Sequence, residues 1–215
     1  MEETVEDNIS DISDEGTTIT PQKVLENIEI AWQNEKFAPE ILPPQEEMLE
    51  LMLSQLEHME ENIKSLDKND ILFTVHKMEL ERIRYVLASY FRCRVKKIEK
   101  YTNAILLDEE DRLEGDKRLT KAEQTFAMDY SKHIKDYFQQ VALQYMPNLQ
   151  RPDGNQQIVR PNLMSHVFIK ANESGKRSVL FSLDDDEVDL TPGSQHIIPY
   201  KLVSDLILKG SVQLN

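Results

Sequence analysis

The stretch that decides the fold is Val75-His-Lys-Met-Glu-Leu-Glu-Arg-Ile-Arg-Tyr-Val-Leu-Ala-Ser-Tyr-Phe-Arg-Cys-Arg-Val-Lys-Lys-Ile-Glu-Lys-Tyr101. It holds no Pro or Gly, and apolar residues recur every three or four positions. It therefore predicts one long helix, over about Asp70 to Asn103, of roughly 50 Å at 1.5 Å per residue. At 100° per residue, Val75, Leu80, Ile83, Val86, Leu87, Tyr90, Phe91, Cys93, Val95, Ile98 and Tyr101 cover about half the circumference, wider than the stripe of a surface helix. Short neighbouring helices cannot cover such a surface alone, so a face shared with another subunit is expected. His76 and Arg94 fall near the middle of the apolar arc. A buried guanidinium needs carboxylates or carbonyls, so Arg94 is expected to be paired, within the chain or across an interface.

The same stretch carries eight basic residues and three acids in a chain of 215 residues whose net charge is −14. A protein that grips nucleic acid over its whole surface would cluster Lys and Arg far more broadly. Direct nucleic-acid binding through this one helix remains the alternative reading.

Working outward, Thr20-Pro21 reads as an N-cap followed by Pro in the first helical turn, with Val24, Leu25, Ile28 and Trp32 carrying helix one to about Asn34. Pro39, Pro43 and Pro44 interrupt the chain. Met48, Met52, Leu56, Met59 and Ile63 then mark a second helix ending near Asn69. Asp108 to Lys117 reads as a loop. Thr120 and Glu123 form a capping box for a fourth helix, along which Phe126, Tyr130, Ile134, Tyr137, Val141 and Tyr145 recur.

Beyond Pro147 the pattern changes. A Pro-, Gly-, Asn- and Gln-rich linker precedes short runs of strand character at His166–Ile169, Ser178–Phe181, Val188–Leu190, His196–Ile198 and Val212–Leu214, with a short helix over Leu202–Ile207 ended by Gly210. The fold class is thus mainly α: an N-terminal four-to-five-helix bundle with long helices, then a small mostly-β C-terminal domain. The expected divisions are an acidic tail over 1–19 without enough apolar surface to order itself, a helical domain over 20–146, a linker over 147–163 and the β-rich domain over 164–215.

Catalytic chemistry is hard to find. The sequence has no glycine-rich phosphate loop and no HExxH, and its five His residues are not at metal-ligand spacings. The acidic run Asp184–Glu187 lacks the pattern of a calcium loop and reads as a solvated hairpin. Cys93, the only cysteine, excludes an internal disulfide and reads as a buried inert thiol. Ser194 and His196 have no third partner. No enzyme, metal or cofactor is expected. No signal-peptide layout and no membrane-spanning run is seen, so an intracellular protein without membrane contact is expected.

Four blocks carry a family resemblance: Ala31-Trp-Gln-Asn-Glu-Lys-Phe-Ala-Pro-Glu40, Gln55-Leu-Glu-His-Met-Glu-Glu-Asn62, His76 through Arg94, and Gly193-Ser-Gln-His-Ile-Ile-Pro-Tyr200. In this order they resemble the Sld-five subunits of the eukaryotic GINS family, over nearly the whole chain. The order helical domain first and β domain second fits the Sld-five or Psf-one type.

The resemblance implies a nuclear structural subunit of a heterotetramer with three sister GINS subunits. That assembly would join the minichromosome-maintenance ring and the Cdc-forty-five protein as the replicative helicase, contacting DNA only indirectly, with ATP hydrolysed by the ring. The subunit interface is expected at Tyr85, Tyr90, Phe91, Arg92, Arg94, Ile98 and Tyr101 of the long helix and at His196, Ile198, Tyr200, Leu202 and Leu206 of the β domain. In the tail, Ile9, Asp11 and Ile12 lie in an alternation of acids and isoleucines similar to a short motif that engages a trimeric replisome hub.

Overall fold

A computed structural model of the chain describes residues 20–66, 70–146, 158–172, 178–181 and 187–215. The tail with Ile9, Asp11 and Ile12, most of the expected linker, and Asp184–Asp186 lie outside the described residues. Four helices form the N-terminal part: α1 (Pro21–Phe37), α2 (Glu46–Ser65), α3 (Ile71–Glu110) and α4 (Lys121–Val141). A fifth helix, α5 (Tyr200–Leu208), sits among five strands: β1 (His166–Ala171), β2 (Ser178–Phe181), β3 (Glu187–Leu190), β4 (Gln195–Pro199) and β5 (Val212–Leu214).

The helix starts follow the sequence signals. Thr20 caps α1 through its hydroxyl, with Pro in the first turn. Asp70 caps α3 by accepting from the Leu72 N–H at 3.1 Å. Thr120 and Glu123 close a reciprocal capping box on α4, which satisfies two N–H groups that the helix itself leaves free.

α3 differs from expectation at its C-terminal end. It runs past Asn103 to Glu110, so the expected loop over Asp108–Lys117 is helical in its first part and a 3-10 turn at Glu114–Asp116. The helix bends at Tyr101, where φ is −121° and ψ is 23°. Beside that bend the Thr102 hydroxyl donates to the carbonyls of Ile98 and Glu99. This back-bonding competes with the helical ladder and is a recognised cause of bending. The kink also lets one sequence carry two apolar faces. Before it, Leu80, Ile83, Val86, Leu87 and Tyr90 pack with Val24 and Ile28 of α1 and Leu49, Met52 and Leu56 of α2. Around and after it, Ile98 and Ile105 pack with Ile41, Leu119 and Ala127.

In the C-terminal part, β1 is the centre of an antiparallel sheet of order β4-β1-β5, and β2 with β3 forms a separate two-stranded sheet. Alternate residues Val167, Ile169 and Ala171 of β1 face the core, as the period of two requires. α5 closes that core with Tyr200, Val203 and Ile207 and ends at Gly210, whose φ is +69°. The N–H groups of Gly210 and Ser211 bond back to the carbonyls of Ile207 and Leu206, the double bond of a Schellman ending, where only Gly takes positive φ without strain.

The β module does not stand alone. Ala38 and Leu42, from the segment between α1 and α2, are part of its core. Three hydrogen bonds pin it to the helices: Gln213 Nε2 to Gln33 Oε1 at 2.6 Å, Leu214 N–H to Asn34 Oδ1 at 2.8 Å, and the Tyr200 hydroxyl to Glu40 Oε1 at 2.9 Å. A module of this size has little core of its own, and docking supplies the missing cover.

Candidate interaction surface

Four of the eight basic residues between Val75 and Tyr101 are paired from within the chain. Arg82 pairs with Glu79 and Glu29, and Arg84 with Glu81 and Glu60. Lys97 reaches Glu35 at 2.7 Å. Carboxylates of α1, α2 and α3 itself thus answer the positive charge of Arg82, Arg84 and Lys97, and leave that of Arg92, Lys96 and Lys100.

Arg94 is the extreme case, at 1% exposure. Its Nε and Nη2 donate to the two carboxylate oxygens of Glu123 at 2.7 and 2.8 Å. Nη1 donates to the Leu42 carbonyl at 2.7 Å and to Glu35 at 3.3 Å, and Nη2 also to the Arg118 carbonyl at 2.8 Å. All five N–H donors of the guanidinium are thus used. The fork ties α1, the α1–α2 connection, the segment before α4, and α4 to the middle of α3. Burial alone would raise the Glu123 carboxyl, but the hydrogen bonds and charge of Arg94 outweigh it and hold the group below the usual range. For Lys97 the balance runs the other way: burial lowers it despite Glu35.

Arg94 is paired as expected, and the pairing is internal. The same correction applies to Tyr90, Ile98, Ile198 and Tyr200, which are buried in this chain's own cores. A side chain already covered by its own chain has no surface to give a partner, so these five leave the expected interface. Tyr85, Phe91 and Arg92 are exposed, and Tyr85 stands edge-on to Trp32 with ring centroids 6.3 Å apart. Tyr101, His196, Leu202 and Leu206 are half-buried. His196 is hydrogen-bonded to Ser194 at 2.9 Å, and the two leucines pack against the β-module core. His76 is exposed rather than central to an apolar face, and Cys93 is half-buried.

An uncovered apolar surface lies along α4 and the turn after it. Phe126, Ile134, Tyr137, Phe138, Val141 and Tyr145 are all exposed, Tyr137 by 59% and Tyr145 by 75%. The side of α4 that meets α3 is made of small residues, Ala127 and Ser131, and Ser131 donates to Asn103 Oδ1 at 3.0 Å. Small side chains let the two helices approach closely, and the aromatic stripe is turned outward. Phe126 and Tyr130 stack on one another at 5.9 Å. A second exposed apolar run, Ile71, Val75 and Met78, follows the spacing of one helix face at the start of α3. On the sheet, Phe168 and Ile197 are a cross-strand pair, both more than half exposed. Contiguous apolar surface of this kind marks a contact site rather than a solvent boundary.

Among the described residues, no group of three or more His, Cys, Asp or Glu side chains is placed to hold a metal ion. No described helix is long and apolar enough to cross a membrane. The cleft of about 340 Å³ between α3 and α4 is lined by Leu106, Met128, Ser131, Lys132, Lys135 and Asp136.

Fold and surface define a class: a long-helix bundle with a docked β module whose conspicuous feature is uncovered apolar helix surface. Comparison with known families narrows the class. Residues 44–142 match the model of the GINS complex protein helical bundle domain, and residues 161–214 that of the DNA replication complex GINS protein SLD5 C-terminus. Proteins named DNA replication complex GINS protein SLD5 from Rattus norvegicus and Homo sapiens are 43% and 42% identical over 212 residues, covering 95% of both chains in each case. The protein of the same name from Dictyostelium discoideum is 30% identical over 196 residues, covering 89% of this chain and 91% of its own. The chain belongs to the SLD5 family of DNA replication complex GINS proteins.

Proposed function

We propose that this chain is a structural, non-catalytic subunit of a GINS heterotetramer acting in DNA replication in the nucleus. In this reading the tetramer joins the minichromosome-maintenance ring and the Cdc-forty-five protein as the replicative helicase, and the chain's contribution is to hold partners in register. The observation that carries the reading is the outward aromatic stripe of α4 on a bundle of this family. Permanent complexes bury apolar faces that resemble a core cut in half. Of the expected interface residues, Tyr85, Phe91 and Arg92 are exposed; the apolar Tyr85 and Phe91 are free to serve, with the α4 stripe added. Ile9, Asp11 and Ile12 are retained as the segment that would meet a trimeric hub.

The test is co-expression with the three sister subunits. The wild-type chain should elute with them at 1:1:1:1, and a variant carrying Ile134→Ser, Tyr137→Ser and Phe138→Ser should keep its helical circular dichroism yet fail to co-elute. A stable wild-type monomer that ignores the sister chains would overturn the proposal, as would a variant that assembles normally.

A further inference from the structure

One face of the molecule carries positive charge that forms no salt bridge among the described residues. Arg92, Lys96 and Lys100 are exposed at intervals of four along α3, so they stand on one side of the helix over about 12 Å. α1 runs parallel beside them, as Trp32 Nε1 donating to Ser89 Oγ at 2.9 Å and Glu35 meeting Arg94 show. Lys36, one turn beyond Trp32, therefore falls abreast of the Arg92 turn. It is exposed and lies over the rings of Trp32 and Phe37, at 5.4 and 5.1 Å from their centroids. Lys100 lies over Tyr101 at 5.1 Å. Among the described residues none of these four cations has a salt bridge, although Arg82, Arg84, Arg94 and Lys97 of the same helix all do. Glu99 is the only acid of α3 between Arg92 and Asn103.

We propose that the chain's own residues 1–19 dock on this basic, aromatic face. The segment contains seven acids and no Lys or Arg, so its charge complements the face. It joins the described chain at Thr20, the cap of α1. From there to the Lys36 turn is about 24 Å along the helix. Nine residues of extended chain span about 30 Å, so Asp11 reaches the face and Asp7 passes it. Asp11 and Asp7 are nine and thirteen residues from Thr20, so the tether holds them within reach of the face and raises their effective concentration there. A tether favours the chain's own acids over a phosphate backbone arriving from solution, and the net charge of −14 disfavours that competitor further. The inference is independent of which subunits cover the α4 stripe, and a hub that takes up Ile9, Asp11 and Ile12 would have to displace the segment from this face.

Zero-length carbodiimide coupling, which joins a carboxylate to a lysine amine in contact, tests the proposal on the full chain, with sister subunits bound if they are needed for solubility. The expected products join Asp7 or Asp11 to Lys36, Lys96 or Lys100 at about 0.1 M salt and are lost at about 1 M, where screening is nearly complete. A second variant, Lys36→Glu with Arg92→Glu, should lose the products at Lys96 and Lys100, which it leaves in place as lysines, while its thermal melt is unchanged. Products concentrated instead at Lys121, Lys132 and Lys135 or on another chain would overturn the proposal. So would products insensitive to salt, no product at all, or an oligothymidylate that binds the full chain as tightly as a chain lacking residues 1–19.

Discussion

Replacing Arg94 by Met removes the five-bond fork at the centre of the bundle while keeping an unbranched chain of similar length. Two carbonyls, of Leu42 and Arg118, and the carboxylates of Glu35 and Glu123 then lose their donors. Removing one partner of a buried ion pair costs about 3–5 kcal/mol, chiefly through the charge left behind. Here the loss should fall nearer 3, because Lys97 still holds Glu35 at 2.7 Å and the Thr120 N–H still donates to Glu123 at 3.0 Å. For a chain of this size each kcal/mol lowers Tm by about 2–4 °C, so a fall of about 10 °C is expected in a melt followed by circular dichroism. Arg94→Lys should recover only part of it, since one ammonium cannot serve Glu123, Leu42 and Arg118 from a single position. Adding Glu123→Gln to Arg94→Met should cost less than the sum of the single changes, the sign of a coupled pair. An Arg94→Met protein within 1 kcal/mol of wild type in urea titration would refute the view that this guanidinium organises the bundle.

Tyr200→Phe removes a hydroxyl donated to the Glu40 carboxylate, which in turn lies 2.6 Å from Arg118. A loss of about 1.5–3 kcal/mol is expected, with faster hydrogen exchange in β5 and α5 than in α2; equal exchange in both would show that this bond does not pin the β module. Tyr90→Phe should be neutral or stabilising by up to about 1 kcal/mol, because the buried Tyr90 hydroxyl meets no partner at hydrogen-bond geometry among the described residues and approaches only the Gln45 backbone; a clear loss in a urea titration would show that this approach is a hydrogen bond. Because the Glu123 carboxyl is held below its ordinary value in the folded chain, its contribution is fully present above the unfolded carboxyl pKa and is lost as pH falls through the lower, folded one. Stability should therefore decline below about pH 4.5, and Glu123→Gln should flatten that part of the profile. Finally, Thr120→Ala should cost about 1 kcal/mol by opening the α4 capping box, and an unchanged melt would count against the cap.

Several features were legible from residue order alone because they depend on neighbours a few positions apart. Thr20-Pro21 and the Thr120–Glu123 box are local hydrogen-bonding rules, and Gly210 ends α5 because a positive φ is cheap only for glycine. The switch from a period near 3.6 to a period of two placed the β module. The four sequence blocks pointed to the GINS family before any contact was known.

Other features depend on which residues meet across long separations, and periodicity carries no such information. The stripe from Phe126 to Tyr145 marks a helix equally well whether it faces inward or outward. The structure buries Ala127 and Ser131 of α4 against α3 and leaves the stripe exposed. The extension of α3 to Glu110 was hidden because its charged last turn has no apolar period, although Glu109 is buried and accepts from the Arg118 N–H at 2.8 Å.

The long helix itself divides the same way. Its sequence determined that Val75 to Tyr101 would be helical, apolar over half its surface, and in need of a partner for Arg94, since each follows from helix geometry and the cost of burying charge. Only the tertiary structure decided that the partners are Glu35 and Glu123 of the same chain, 59 and 29 residues away. Those contacts exist because the last turn of α1 and the first turn of α4 converge on one turn of α3, and convergence of that kind is set by packing in three dimensions rather than by the order of residues.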